Sequence, residues 1–173
     1  MFRSLSALRT APPTMYAPPP LLFRLYANPP LQGFDADLLT KHLHLDSASA
    51  DGTTTFTFTV PAEYCNCIGN LHGGAAALLL DICTTTALVS ISRPGYWQSG
   101  GLSASLNITY VRPVPCGTRV EIVSSVVSAG RRLAFLKGKI RLDGKALVAA
   151  QHTKVRPILP ICCLGRGGGV RLC

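Results

Sequence analysis

Asp81 is the only residue with a formal charge between Glu63 and Arg93. It stands in Ala75–Ile91, a run of Ala, Leu, Ile, Val and Thr whose only other ionisable group is Cys83. A carboxylate among apolar side chains costs free energy unless it is hydrogen-bonded. Held beside polar partners, it is a candidate for acid–base chemistry. Nine residues earlier, His72-Gly73-Gly74 opens the same run. The glycines let a ligand approach the backbone closely. The first N–H groups of a helix lack intrahelical partners, and the dipole there favours negative charge. The pair therefore suits either an oxyanion cradle for a carbonyl becoming tetrahedral or simply a tight turn. Asn66, in the preceding segment, could add a side-chain N–H to that carbonyl or hold the turn. His72 could act as acid or base, or fix the loop by hydrogen bonds. Ser103 could orient a water from a strand, or be merely solvated. No Gly-x-Ser-x-Gly elbow surrounds it, which argues against a serine nucleophile.

Asp81 and the glycine start cannot serve one substrate within one chain. They are about 12 Å apart along the helix at 1.5 Å per residue. If both act on one carbonyl, the carboxylate comes from a second subunit, and dimerisation becomes a requirement of the mechanism.

The elements that must position these groups follow from the pattern of the chain. Residues 34–44 suit a short helix, ending before a turn at 47–52. Residues 53–60 alternate Thr with Phe and Val and read as a strand. A loop over 61–71 leads into a long apolar helix, 72–92, stopped by Arg93-Pro94-Gly95. Four strands follow, at 102–110, 119–128, 130–142 and 145–155, the last two joined by the hairpin signal Asp143-Gly144. In the first of the four, Ser103, Ser105, Asn107 and Thr109 alternate with Leu102, Ala104, Leu106, Ile108 and Tyr110 and are expected on the opposite face. One strand, one greasy helix and four strands argue for an α+β fold, an antiparallel sheet curved around that helix. One sheet covers only part of such a helix, so a homodimer or a dimer of dimers is expected. The run is barely long enough to span a bilayer and carries Asp81 and three threonines, so a buried helix is preferred to a membrane span.

The 173 residues divide into a Pro-rich basic leader (1–33), one domain (34–156) and a Cys- and Gly-rich tail (157–173). The leader starts with an Arg- and Ser-bearing amphipathic stretch free of acids, the pattern of a mitochondrial transit peptide; otherwise a cytoplasmic location is expected. The net charge is +9, with all eight acids between Asp35 and Asp143. No basic helix with interleaved aromatics is present, so an anionic small molecule is a better partner than nucleic acid. Seven cysteines, an odd number at irregular spacing, indicate a reducing compartment rather than a disulfide framework. Cys65-x-Cys67 with His72 does not have zinc-ligand spacing, and loop cysteines are the simpler reading.

Asn66-Cys67-Ile68-Gly69-Asn70-Leu71-His72-Gly73-Gly74, then Asp81, Gly101-Leu102-Ser103, Asn107-Ile108-Thr109-Tyr110 and Gln151-His152-Thr153-Lys154 together resemble the hotdog-fold acyl-CoA thioesterases. The branch is that of the phenylacetate-pathway enzymes and the acyl-CoA thioesterase 13 (thioesterase superfamily member 2) type. The likeness covers residues 50–156. It implies hydrolysis of an acyl-CoA to acid and CoA, with no metal and no organic cofactor. Asn66 and the Gly73 N–H would polarise the thioester carbonyl, and Asp81 of the facing subunit would activate water. Ser103 would position that water, and His72 would organise the loop near the leaving sulfur. Arg112, Arg131, Arg132, Lys154 and Arg156 would meet the CoA phosphates. Where many relatives carry an acid two positions after the serine, this chain has Ser105. The alternatives are an acyl-CoA-binding protein without turnover and a hotdog enoyl-thioester hydratase or dehydratase.

Overall fold

A computed structural model describes residues 34–157; the leader and almost all of the tail, with the transit-peptide expectation, lie outside the described residues. Six strands and one long helix follow in chain order: β1 (Leu43–Ala48), β2 (Thr53–Thr59), α1 (Gly73–Ser90), β3 (Leu102–Tyr110), β4 (Arg119–Ala129), β5 (Leu133–Leu142) and β6 (Lys145–Val155). They build a single sheet of order β1-β2-β4-β5-β6-β3, antiparallel at every junction. Phe56 and Phe58 of β2, Val120 and Ile122 of β4, Ile140 of β5, and Val148 and Ala150 of β6 close on Ala76, Leu79, Leu80 and Cys83 of α1. Complete burial of a leucine such as Leu79 or Leu80 contributes roughly 1.5–3 kcal/mol, so the helix is held by the sheet rather than by its own propensity.

Two expectations need correction. The helix expected over 34–44 shrinks to a short π-helical turn, Leu38–His42, and the chain then enters β1. Leu43-His44-Leu45-Asp46 has the period of two that a strand needs. The leucines also satisfy helical spacing with Leu38 and Leu39, and β1 is an edge strand with a bulge between Leu45 and Ser47, so its local signal is ambiguous. The second correction concerns Ser103. In β3 a bulge between Ser103 and Ser105 pairs Ser103 with Lys154 and Leu106 with His152. Ser103 therefore shares the helix-facing side with Leu106, where simple alternation put it on the opposite side.

The sheet does not cover α1 completely. Ala75, Leu78, Ile82 and Thr85, at spacings of three and four, form a half-buried stripe with Asp81 beside it. Below the opposite side of the helix, Gly138 lets the layers approach: a Cβ there would stand 2.9 Å from Cγ2 of Thr84 and 3.0 Å from Cδ2 of Leu80. The other end of the core is sealed by Trp97, buried among Leu88, Ala134 and Leu136, its indole N–H donating to Gly130 O at 2.9 Å. The turn from Trp97 into β3 requires Gly101, whose φ is +69° and whose Cβ would lie 2.6 Å from the Trp97 ring.

Candidate active site

The candidate residues fall into two separate clusters on each chain. The first is at the start of α1. His72 is the N-cap, its Nδ1 accepting the Gly74 N–H at 3.0 Å. This consumes one of the free first-turn donors, fixes the imidazole and leaves the Gly73 N–H without an intrahelical partner. The Gly73 carbonyl accepts the Tyr110 hydroxyl at 2.8 Å, which ties the helix start to the end of β3. Asn66 closes the preceding loop: its Oδ1 accepts the N–H groups of Ile68 (3.2 Å) and Asn70 (3.1 Å). With the oxygen engaged, its NH₂ group remains available to an outside acceptor. Asn66, Gly73, Tyr110 and Arg112 share the lining of a cavity of about 350 Å³.

The second cluster surrounds Asp81. Its side chain is 40% exposed, whereas that of His152 is 0% exposed. Ser103 Oγ lies 3.3 Å from Asp81 Oδ1 and 2.9 Å from His152 Nε2. On its other side, His152 Nδ1 lies 2.7 Å from Thr84 Oγ1. A neutral imidazole bridges the two hydroxyls, donating through one nitrogen and accepting through the other. Burial, reinforced by the neighbouring Lys154 ammonium and opposed by Asp81, brings the His152 pKa down to about 4. It is therefore uncharged at neutral pH. Lys154 donates to Thr85 Oγ1 at 2.8 Å and stands 4.0 Å from Asp81 Oδ1; burial lowers its pKa, while Asp81 opposes the shift. Asp81, Thr85 and Lys154 line a cavity of about 270 Å³ together with Ile82, Thr86, Leu39 and Asp35. This cavity and the Asn66–Gly73 cavity have no lining residue in common.

The five cations grouped from the sequence are dispersed. Arg131, Arg132 and Arg156 line one polar cavity of about 450 Å³. Arg156 donates from its backbone to Arg132 O (2.8 Å) and from its guanidinium to Gly95 O (2.7 Å). Arg112 belongs to the Asn66 cavity and donates to Ala146 O at 3.1 Å. Lys154 is buried beside Asp81 and lines a cavity that none of the other four lines.

The sequence reading gave no individual role to His152, Thr84, Thr85 or Tyr110. Their signals lay in spacing. Val148, Ala150, His152 and Lys154 are buried at every second position of β6, which turns His152 toward α1. Thr84 and Thr85 follow Asp81 by three and four residues, the spacing at which helix side chains meet.

Comparison with known proteins adds an independent line. The family model of the thioesterase superfamily matches residues 68–149. Human acyl-coenzyme A thioesterase 13 is 34% identical over 109 residues, covering 62% of this chain and 75% of that protein. The crystal structure of zebrafish thioesterase superfamily member 2 superposes with a TM-score of 0.67 at 30% identity, over 79% of this chain and 94% of its own. The phenylacetic acid degradation protein PaaI of Thermus thermophilus shares the fold with a TM-score of 0.59 at 23% identity, over 67% of this chain and 94% of its own. With its antiparallel sheet curved around one apolar helix, the chain adopts the hotdog fold and belongs to the thioesterase superfamily.

Proposed function

We propose that this protein hydrolyses acyl-CoA thioesters, with each active site built from two subunits. The observation that carries the proposal is the split just described: carbonyl-binding donors at Asn66 and Gly73 in one cavity, a hydrogen-bonded carboxylate at Asp81 in another. Each cluster lacks what the other has. Pairing two copies across the uncovered stripe of α1 would bring the Asp81 of one to the helix start of the other. The Asn66 NH₂ and Gly73 N–H then hold the thioester oxygen and stabilise the charge it gains. Asp81 takes a proton from water as the water oxygen bonds to the carbonyl carbon, and Ser103, steadied by His152, positions that water. Collapse of the tetrahedral intermediate breaks the carbon–sulfur bond, and the CoA sulfur leaves to be protonated. His72 shapes the loop as the helix cap. Arg131, Arg132 and Arg156 form no ion pair with a described carboxylate and offer a site for the CoA phosphates.

Asp81→Asn should retain the fold and lose on the order of 10²–10⁴ in kcat as a missing general base. Asn66→Ala should lose about 10²–10³ as a missing oxyanion donor. Thiol release from short, medium, long and aromatic acyl-CoAs measures both. A folded Asp81→Asn protein with wild-type turnover on all of them would contradict the proposal.

A further inference from the structure

Cys65 immediately precedes Asn66, and Cys116 lies in the connection between β3 and β4. Backbone hydrogen bonds lace the two segments together: Leu71 N–H to Val114 O (2.8 Å), Cys116 N–H to Gly69 O (2.9 Å) and Gly117 N–H to Val60 O (2.8 Å). The thiols point to carbonyls of adjacent residues, Cys65 Sγ to Pro61 O (3.4 Å) and Cys116 Sγ to Val60 O (3.9 Å). Burial first, and then the neighbouring Cys116 thiol, raise the Cys65 pKa. Both thiols are free; Cys116 is exposed and Cys65 half-buried. Cys83 is buried in the core, and Cys67, though exposed, makes no comparable contact.

We infer that Cys65 and Cys116 form a reversible disulfide that slows the enzyme by displacing Asn66. The oxidant is a peroxide. The exposed Cys116 thiolate attacks one peroxide oxygen, giving a sulfenic acid and water in the case of hydrogen peroxide. The Cys65 thiolate then attacks the Cys116 sulfur and releases hydroxide, which is protonated to a second water. Two thiols and one hydrogen peroxide yield one disulfide and two waters, the sulfurs being oxidised and the peroxide reduced. An S–S bond of about 2.05 Å is much shorter than a thiol–thiol contact, so closure pulls Cys65 and Cys116 together. Asn66 is the next residue along, held on its far side by the Ile68 and Asn70 N–H groups. Displacement of a positioning group by about 1 Å costs up to roughly 10² in rate. The rate effect rests on the proposed role of Asn66; the cross-link does not.

The test uses the full chain, reduced and then exposed to hydrogen peroxide, alongside Cys116→Ser and Cys67→Ser variants. Peptide mass spectrometry under non-reducing conditions reads the linkage, and thiol release from an acyl-CoA reads turnover after oxidant removal. The wild type and Cys67→Ser should show a Cys65–Cys116 linked peptide and a kcat lower by about tenfold or more, both reversed by dithiothreitol. Cys116→Ser should form no such peptide and keep its rate. Separate Cys65 and Cys116 peptides after oxidation, or a linked pair with unchanged kcat, would overturn the inference. A reduced wild type that releases no thiol would instead count against the proposed function, since the linkage is read by mass alone.

Discussion

At the scale of single residues, the buried imidazole of His152 is the most informative group. Thr84 and Ser103 bond its two nitrogens, Lys154 disfavours its charge and Asp81 favours it. Burial prevails, and its pKa falls from the ordinary 6.5 to about 4. Between those two values the unfolded chain binds more protons than the folded one, so stability rises with pH across that window. The contribution is complete above the unfolded value and is lost as pH falls toward the folded one. It amounts to on the order of 3 kcal/mol. Urea unfolding of wild type and His152→Gln between pH 4 and pH 7 checks this. The variant should have a flatter profile, because the carboxylates common to both, including Glu121 paired with Arg141, cancel in the comparison. Parallel profiles would show that His152 carries no such linkage.

At the scale of elements, the packing of α1 on β5 depends on a missing side chain. Gly138→Val would drive a Cβ into Thr84 and Leu80, and should cost about 1–3 kcal/mol by overpacking. Chemical denaturation measures it, and an unchanged midpoint would contradict the close approach. The long helix and the four strands after it were legible in the sequence because they are long and strongly periodic. Asn66, Gly73 and Asp81 were legible as candidates because their types stand out from apolar or loop surroundings. β1 was not, since its leucines satisfy both helical and strand periods and only pairing with β2 decides between them. The inward side of Ser103 was hidden for a related reason: one extra residue in β3 changes the face of everything before it, and that residue has no distinctive type. The burial of Lys154 likewise depends on long-range pairing with β3 and on the Thr85 hydroxyl, neither of which local pattern reveals.

At the scale of the whole molecule, the proposed site is shared between two copies, and the Arg131, Arg132 and Arg156 cluster would hold the nucleotide. For the cluster, an Arg131→Gln, Arg132→Gln double variant should raise KM for an acyl-CoA roughly tenfold, about the loss of one charge-assisted hydrogen bond. Its kcat should be unchanged, as should its KM for the corresponding acyl-pantetheine, which has no nucleotide. Equal effects on both substrates would place the phosphates elsewhere. The shared site can be tested by subunit exchange. Asp81→Asn and Asn66→Ala chains, each nearly inactive alone, are unfolded together, refolded at equal concentration and assayed for thiol release. Half of the random pairs are mixed, and each mixed pair has one site with both native groups, so roughly a quarter of wild-type activity should return. If the mixture stays as inactive as its parents although mixed dimers are present, Asp81 and Asn66 do not act across a subunit boundary.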